Sequence, residues 1–312
     1  MNESKSVRLH AFGGPEVLQV EPVPIPQAKD DEVLVRVAAA SINPVDYKTR
    51  EGEFPPVGED ALPVILGRDL AGTIEAVGTR AHYMLRKGDA VFAFIGFDRG
   101  GQSDYVVVKA LELAAAPTSI DLVHAAAVPL AGMTAWQGLF DHGGLQAGQR
   151  VLIHGGAGGV GHLAVQFAKA KGATVFATAG TDDLDYVRSI GADTVIDYKK
   201  QRFEDVASDM DLVLDLVGGE TQTRSFAVLR AGGTLVSTID VDEPEEAKKR
   251  NIRVPDRWLA EVNTKQLAEI AALIDAGTVK VEVAQVFPVE EAASAYERLE
   301  NGHVRGKVVL TF

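Results

Sequence analysis

Val151-Leu152-Ile153-His154-Gly155-Gly156-Ala157-Gly158-Gly159-Val160-Gly161 runs directly into His162-Leu163-Ala164-Val165-Gln166-Phe167-Ala168-Lys169-Ala170-Lys171. The apolar β-branched run reads as a strand, the glycines as a tight turn, and the segment from Gly161 as a helix with apolar residues at helical spacing. Within the glycines, Gly156-Ala157-Gly158-Gly159-Val160-Gly161 fits G-x-G-x-x-G. That pattern serves a dinucleotide for physical reasons. One glycine makes the tight turn, one lets the backbone approach a pyrophosphate, and one allows close helix–strand packing. The helix N-terminus then offers unpaired N–H groups and a partial positive charge to the phosphates. Glycine-rich turns also occur without ligands. The strand before, the helix after and a second strand, Thr174-Val175-Phe176-Ala177-Thr178, form the βαβ context that favours the dinucleotide.

Beyond this unit, strands and helices alternate. Strands are expected at 151–154, 174–178, 194–197, 212–216 and 234–238, with a sixth at 252–260. Helices are expected at 121–128, 132–143, 161–171, 184–190 and 222–229, with a short one at 203–207. The alternation predicts a parallel, doubly wound sheet covered on both faces. Residues 6–120 follow a different grammar: short strand-like runs at 6–12, 18–22, 32–42, 69–77, 90–94 and 104–109, punctuated by Gly and Pro. These suggest a small barrel or rolled sheet. Residues 43–67 are too irregular for strands and read as loops or a short helix. After Asn263 come a helix (265–276), a strand (283–287), a helix (289–301) and a final strand (307–312), a tail expected to return to the first domain.

The length of 312 residues suggests two domains. A formal net charge of −13 argues against nucleic acid or an anionic membrane surface as the main partner. The absence of cysteine excludes disulfides, thiolate catalysis and cysteine-ligated zinc, and fits a cytoplasmic protein. The first residues carry no apolar signal-peptide core, and no apolar run approaches the roughly 20 residues that span a bilayer. The seven histidines (His10, His82, His124, His142, His154, His162 and His303) show no metal-binding spacing. His154 and His303 read as structural.

Several ordered segments are more specific than the glycine turn. They are Asn43-Pro44-Val45-Asp46 with Arg50 and Gly52, Gly67-Arg68-Asp69-Leu70-Ala71-Gly72, and Gly88-Asp89-Ala90-Val91-Phe92. Further along stand Pro129-Leu130-Ala131-Gly132-Met133-Thr134-Ala135-Trp136, Asp215-Leu216-Val217-Gly218-Gly219 and Gly302-His303-Val304-Arg305-Gly306-Lys307. Over nearly its whole length the chain thereby resembles the zinc-free quinone oxidoreductase branch of the medium-chain dehydrogenase/reductase superfamily. The resemblance implies an α/β protein with a Rossmann doubly wound parallel sheet and a discontinuous GroES-like β-rich catalytic domain. The expected boundaries are 1–122 and 263–312 for the catalytic domain and 123–262 for the NAD(P)-binding domain, with a nicotinamide in the cleft between them.

In zinc-dependent relatives the metal is held by a Cys opening a C-x-x-D motif, by a Gly-His-Glu, and by a second Cys before the helix that enters the cofactor domain. Those positions read Asn43, Gly67-Arg68-Asp69 and, by spacing, Leu130. An amide, a guanidinium and an alkyl group leave only Asp69 as a plausible ligand, so no zinc is expected.

The resemblance assigns Gly156, Gly158, Gly159, Val160 and Gly161 to the pyrophosphate. It also assigns Thr134, Thr178, Ala179, Tyr198, Val217, Ser237 and Asn43 to the cofactor site, although Thr134 also reads as an ordinary helix-face threonine. The second strand ends Thr178-Ala179-Gly180-Thr181 with no acid at its tip, which permits NADPH. Asp182 and Asp183 stand where relatives often carry a basic residue. Lys199, Lys200 or Arg202 supplies charge to a 2′-phosphate, or else forms a solvated face. NADPH is favoured over NADH. Asn43 and Tyr47 are the catalytic candidates. Asn43 would hydrogen-bond an acceptor oxygen, and Tyr47 would donate a proton if a neighbour such as Lys48 lowers its pKa, or would simply pack on the barrel. Asp46 and Arg50 are expected to pair and fix the loop.

The expected activity is hydride transfer from NADPH to a small electrophilic acceptor, either a quinone or the C=C of an α,β-unsaturated carbonyl. An enoyl-thioester reductase and a non-catalytic NADPH-binding regulatory or structural protein are the alternatives. A homodimer is expected through the exposed sixth strand, with Arg257 and Trp258 at the contact.

Overall fold

The computed structural model describes residues 3–81 and 85–312; Met1, Asn2 and His82 lie outside the described residues. The chain divides into two compact units, Met1–Ala131 with Glu261–Gly277 and Val281–Phe312, and Gly132–Ala260 with Thr278–Lys280. No described helix is long and apolar enough to cross a membrane.

The first stretch of chain is β1 (Glu3–Leu9), β2 (Leu18–Pro24), β3 (Glu32–Ile42), α1 (Pro44–Arg50), β4 (Val64–Ile65), β5 (Asp69–Val77), β6 (Ala90–Phe94), β7 (Tyr105–Lys109), β8 (Ala114–Ala115), α2 (Leu122–Ala126) and α3 (Pro129–Trp136). The second is β9 (Arg150–Ile153), α4 (Gly161–Ala170), β10 (Thr174–Ala179), α5 (Leu184–Ser189), β11 (Thr194–Asp197), β12 (Met210–Asp215), α6 (Gly219–Ser225), β13 (Leu229–Ser237) and α7 (Pro244–Lys249). The tail carries α8 (Thr264–Asp275), β14 (Val283–Pro288), α9 (Ala292–Glu300) and β15 (Lys307–Thr311).

In the first unit β2-β1-β4 form a small antiparallel sheet, and a larger one runs β14-β15-β3-β5-β6-β8 with β7 also on β3. The tail is structural here. β15 lies between β14 and β3, with Val308 opposite Ile42 and Leu310 opposite Ala40. Val308, Val309 and Leu310 are fully buried, each contributing about 1.5–3 kcal/mol of transfer free energy. Val308 and Leu310, on one face of the strand, join Val7, Leu9, Ile42, Leu66 and Tyr296 in one core.

The second unit is a five-stranded parallel sheet in the order β11-β10-β9-β12-β13. In strand sequence this is 3-2-1-4-5, the doubly wound order in which chain direction across the sheet reverses beside the first strand. Leu152, Val213, Leu235, Phe176 and Ile196 carry its core on one face.

The sixth strand expected at 252–260 does not form. Arg253 makes one parallel bridge to Thr234, its N–H donating to the Gly233 carbonyl and its carbonyl accepting from the Leu235 N–H. Pairing ends there, because Pro255 two residues on has no N–H to donate. The edge thought to carry a homodimer contact is therefore absent as a strand. Similarly, the helix expected at 222–229 begins at the glycine pair: α6 spans Gly219–Ser225, preceded by Gly218 with φ +79°. The helix expected at 132–143 begins earlier, as α3, and continues as a π-helix over Gln137–His142. Part of the connection at 240–255 is helical, α7, with Pro244 at its first position.

Candidate functional site

In the cofactor unit the residues assigned to the dinucleotide share the C-terminal edge of the parallel sheet. Across the strand order they are Tyr198 just past β11, Thr178 and Ala179 at the end of β10, the glycine turn after β9, Val217 just past β12, and Ser237 closing β13. This edge, beside the reversal of strand order, is where open parallel sheets bind ligands.

Each glycine of the turn has a distinct reason. Gly155, outside the G-x-G-x-x-G frame, takes the left-handed φ of +75° that reverses the chain. A Cβ on Gly161 would sit 2.0 Å from the Gly155 carbonyl oxygen, so this position holds the start of α4 against the turn. A Cβ on Gly156 would meet the Ala177 methyl at 2.9 Å. On Gly158 it would meet only the Gly155 carbonyl oxygen, at 3.4 Å, leaving the turn open there. Val160, the N-cap of α4, makes no side-chain capping bond, and Gly158, Gly159 and Val160 are partly exposed. This is a helix N-terminus fit for phosphate.

Thr178 clamps the turn. Its carbonyl accepts from the Gly156 N–H (2.9 Å) and its hydroxyl oxygen from the Gly155 N–H (3.1 Å). The hydroxyl also meets His154 Nδ1 at 3.3 Å, while His154 Nε2 lies 2.9 Å from Ser225 Oγ. Because Ser225 spends its hydrogen on the Thr221 carbonyl (2.6 Å), Nε2–H must donate to Ser225, leaving Nδ1 to accept from Thr178. His154 is thus a neutral imidazole, and burial, opposed by Asp215, pushes its pKa down to about 4. On the other side Asp215 accepts from the Val217 and Gly218 N–H groups (both 3.0 Å), from Gln222 Nε2 (3.0 Å) and from the Ser237 hydroxyl (2.9 Å). Asp215 and Gln222 escape a reading by sequence, although the Asp heading Asp215-Leu216-Val217-Gly218-Gly219 is a visible signal. Val217 is about half exposed. A cavity of about 440 Å³ opens at the end of β13, walled by Ser237, Ile239, Val241, Ile252, Val254 and Pro255 among others.

At the β10 end, a side chain built on Gly180 would meet the Tyr198 hydroxyl at 3.5 Å and Lys199 Nζ at 3.9 Å. Lys200 is drawn to Asp197 (3.5 Å) and Arg202 to Glu204 (3.3 Å), which leaves Lys199 as the charge beside Gly180. Asp182 is exposed, and Thr181–Asp183 form a 3-10 turn. Thr134 lies half-buried on α3.

The first unit holds a buried polar knot. Asn43 caps α1, its N–H donating to Asp46 Oδ2 (2.8 Å). Its Nδ2 donates to Asp69 Oδ2 (3.2 Å), with a longer contact to Ser41 Oγ (3.4 Å). Its Oδ1 accepts from Lys307 Nζ at 2.5 Å. Lys307 also donates to the Ile42 carbonyl (2.8 Å). Asp69 accepts from the Ser41 hydroxyl (2.8 Å), the Ser41 N–H (3.1 Å) and the Leu130 N–H (3.3 Å). Burial pushes the Asp69 carboxyl up and the Lys307 ammonium down, each opposed by the other.

This donor set does not suit zinc. Asn43, Asp69 and the backbone of Leu130 are bonded to one another, and Arg68 points away to the carbonyls of Phe97 (3.2 Å) and Arg99 (3.0 Å). Among the described residues no group of three His, Cys, Asp or Glu side chains could hold a metal ion.

Asp46 and Arg50 do not pair. Arg50, though buried, ion-pairs with Glu300 and with Glu51 (2.6 Å) and donates to the Gly13 carbonyl (2.9 Å). Asp46 instead faces Arg68 at 4.0 Å, and burial raises its pKa to about 6 against the pull of Arg68. Lys48 does not activate Tyr47 either. Burial, then Glu51, Glu300 and Glu53, push the phenol pKa upward, so Tyr47 remains a hydrogen-bond donor but a weaker acid. It packs at the margin of the core around Tyr296.

Residues 29–118 match the alcohol dehydrogenase GroES-like domain, and residues 190–310 match a family described as zinc-binding dehydrogenase. The chain is 36% identical over 311 residues to the chloroplastic NADPH-dependent alkenal/one oxidoreductase of Arabidopsis thaliana, covering 96% of this chain and 77% of that protein. The solved quinone oxidoreductase of Coxiella burnetii superposes with a TM-score of 0.91 at 34% identity, covering 99% of both chains. The Escherichia coli quinone oxidoreductase complexed with NADPH gives a TM-score of 0.87 at 28% identity, covering 99% of this chain and 100% of that one.

Gly158→Ala is expected to melt within a few degrees of the parent yet to bind a dinucleotide at least about tenfold more weakly by fluorescence titration. Gly161→Ala should lose both stability and binding. Unchanged affinity in Gly158→Ala would mean that the turn meets no ligand.

A second expectation concerns pH. With its folded pKa near 4 against 6.5, His154 binds fewer protons folded than unfolded, so its stabilising effect is present above pH 6.5 and is lost as pH falls toward 4. Going from pH 7 to 4.5, the parent should lose about 2–3 kcal/mol more than His154→Gln in urea unfolding of the cofactor unit. Equal losses would show that the imidazole does not stay neutral.

Proposed function

Since the chain belongs to the quinone oxidoreductase-like branch of the medium-chain dehydrogenase/reductase superfamily, we propose that it is an NADPH-dependent, zinc-independent reductase. Its acceptor is a quinone or the C=C of an α,β-unsaturated carbonyl. The observation that carries this reading is the row of strand ends in the cofactor unit, with Lys199 and Tyr198 beside Gly180 at one end and Ser237 at the other.

Bound NADPH supplies the hydride. The chain's own residues bind and orient it. The open side of the glycine turn and the uncapped start of α4 take the pyrophosphate. Lys199 and the Tyr198 hydroxyl take a 2′-phosphate, while Asp197, opposite Ala179 at the tip of β10, is engaged by the Thr181 hydroxyl (2.7 Å) and Lys200 (3.5 Å). Val217 and Ser237, fixed through Asp215, meet the nicotinamide half. Asn43 and Thr134 belong to the same reading as polar contacts to the acceptor and the ribose. Tyr47, with its raised pKa, donates a hydrogen bond to the acceptor oxygen rather than releasing a proton. The proton that completes the reduction comes from solvent. With an acceptor already electron-poor, positioning and one or two hydrogen bonds suffice.

The reading includes a homodimer and a cytoplasmic compartment. The first is supported by the outer edge of β13, which Asn251 and Arg253 cover in part; the second fits a chain without cysteine.

Purified protein should oxidise NADPH in the presence of a small enone or quinone, and EDTA should leave the rate unchanged. Abolition by EDTA with restoration by zinc would overturn the metal-free reading. Faster turnover of a crotonyl thioester than of the free enone would turn it toward enoyl-thioester reduction. NADPH binding without turnover of any acceptor would leave a regulatory role. Lys199→Glu should raise KM for NADPH by roughly 10–100-fold and leave KM for NADH little changed. An equal effect on both cofactors would remove Lys199 from the 2′-phosphate.

A further inference from the structure

We propose that the buried Lys307 ammonium fixes the orientation of the Asn43 amide and so positions it for the acceptor. The proposal rests on the reading of Asn43 given above.

Four positions correspond to the metal-binding set: Asn43, Arg68, Asp69 and Leu130. Three of them close on one point, since Asp69 Oδ2 accepts both from Asn43 Nδ2 (3.2 Å) and from the Leu130 N–H (3.3 Å). The positive charge beside that point does not come from Arg68, whose guanidinium reaches the carbonyls of Phe97 and Arg99. It comes from the far end of the chain. Val308 pairs with Ile42, so the residue before it, Lys307, comes abreast of Asn43, and its ammonium donates to Asn43 Oδ1 and to the Ile42 carbonyl. Only 4% of Lys307 is exposed, and the three residues that follow it in the strand, Val308, Val309 and Leu310, are apolar and fully buried. A charge so placed must be matched by partners, and here the partners are oxygens: one amide, one carbonyl and, nearby, the Asp69 carboxylate.

The arrangement removes an ambiguity that a buried amide otherwise has. An ammonium can only donate and a carboxylate can only accept, so Lys307 selects the oxygen of Asn43 and Asp69 selects the nitrogen. The amide is held at both ends in one orientation. Its second N–H, spent only on a long 3.4 Å contact to Ser41 Oγ, is the one left to meet an acceptor oxygen. Lys307 is thus a positioning residue: it touches Asn43 and the chain at the start of α1.

The test uses the full-length protein in three forms: parent, Lys307→Met, and the double variant Lys307→Met with Asp69→Asn. The single variant strands a buried carboxylate and should melt well below the parent. The double variant removes both charges and should recover most of that loss. If Lys307 positions Asn43, the double variant will still show at least tenfold faster hydrogen exchange at the amides of residues 43–50. Its kcat with enone or quinone will fall at least tenfold, with KM for NADPH unchanged. Parent-like exchange in the stable double variant overturns the proposal, as does loosened exchange with full kcat. Were the parent itself inactive with every acceptor, the function proposed above would fall, while the exchange readout would still decide whether Lys307 holds Asn43 in place.

Discussion

The contact between Gly161 and the Gly155 carbonyl governs the cofactor unit. Its Cα lies so near that oxygen that a methyl would overlap it at 2.0 Å. Only hydrogen fits, so β9, the turn and α4 lock together with the first turn of the helix facing the end of the sheet. Beside that contact lie the open edge at Gly158 and the start of α4, which no side chain caps, with β10 and β12 bringing Thr178 and Val217 to either side. The neighbouring side chains then brace the strand ends. Thr178 clamps the turn through a neutral His154, and Asp215 gathers Val217, Gly218, Gln222 and Ser237 around one carboxylate.

The first unit solves a different problem. Around Asn43 it buries two carboxylates, Asp46 and Asp69, beside two cations, Arg68 and Lys307, while a third buried cation, Arg50, is answered by the partly exposed Glu300 and Glu51. The two carboxylates are not equally well satisfied. Asp69 has a full set of donors, whereas Asp46 Oδ1 and Arg68 Nε lack hydrogen-bond partners and stand 4.0 Å apart. Burial pushes the Asp46 carboxyl to about 6 against the pull of Arg68. The tight half of the cluster is the half that contains Asn43.

What was legible in the sequence is what local pattern controls. The alternating run at 32–42 and the runs at 69–77 and 90–94 form strands with those bounds, because side-chain periodicity and flanking turn residues decide them. The glycine turn was readable because its constraint is backbone geometry within a few residues. Failures have equally physical causes. The 252–260 segment is apolar enough for a strand, but Pro255 interrupts the donor row. The Asp46–Arg50 pair, four apart on one helix, has suitable spacing, yet Glu300 from the distant α9 takes Arg50. Lys307 and Asp215 stand within recognisable motifs, but their roles are not legible there, because their partners lie 264 and 22 residues away in the chain. Side-chain partnership across such separations leaves no periodic trace.

The place of β15 inside the larger sheet has a consequence for how the protein comes into being. Residues 307–311 form an interior strand between β14 and β3, and β3 is made more than 260 residues before them. Every strand of the parallel sheet is synthesised in the meantime, so that sheet can assemble while the chain is still growing. The β-rich unit must wait. Until β15 arrives, Ile42 has no neighbour on that side and Asn43 has no ammonium. Completion of the β-rich unit is thereby tied to the synthesis of residues 307–311, and a growing chain that has not reached them can hold a formed parallel sheet without a finished β-rich unit.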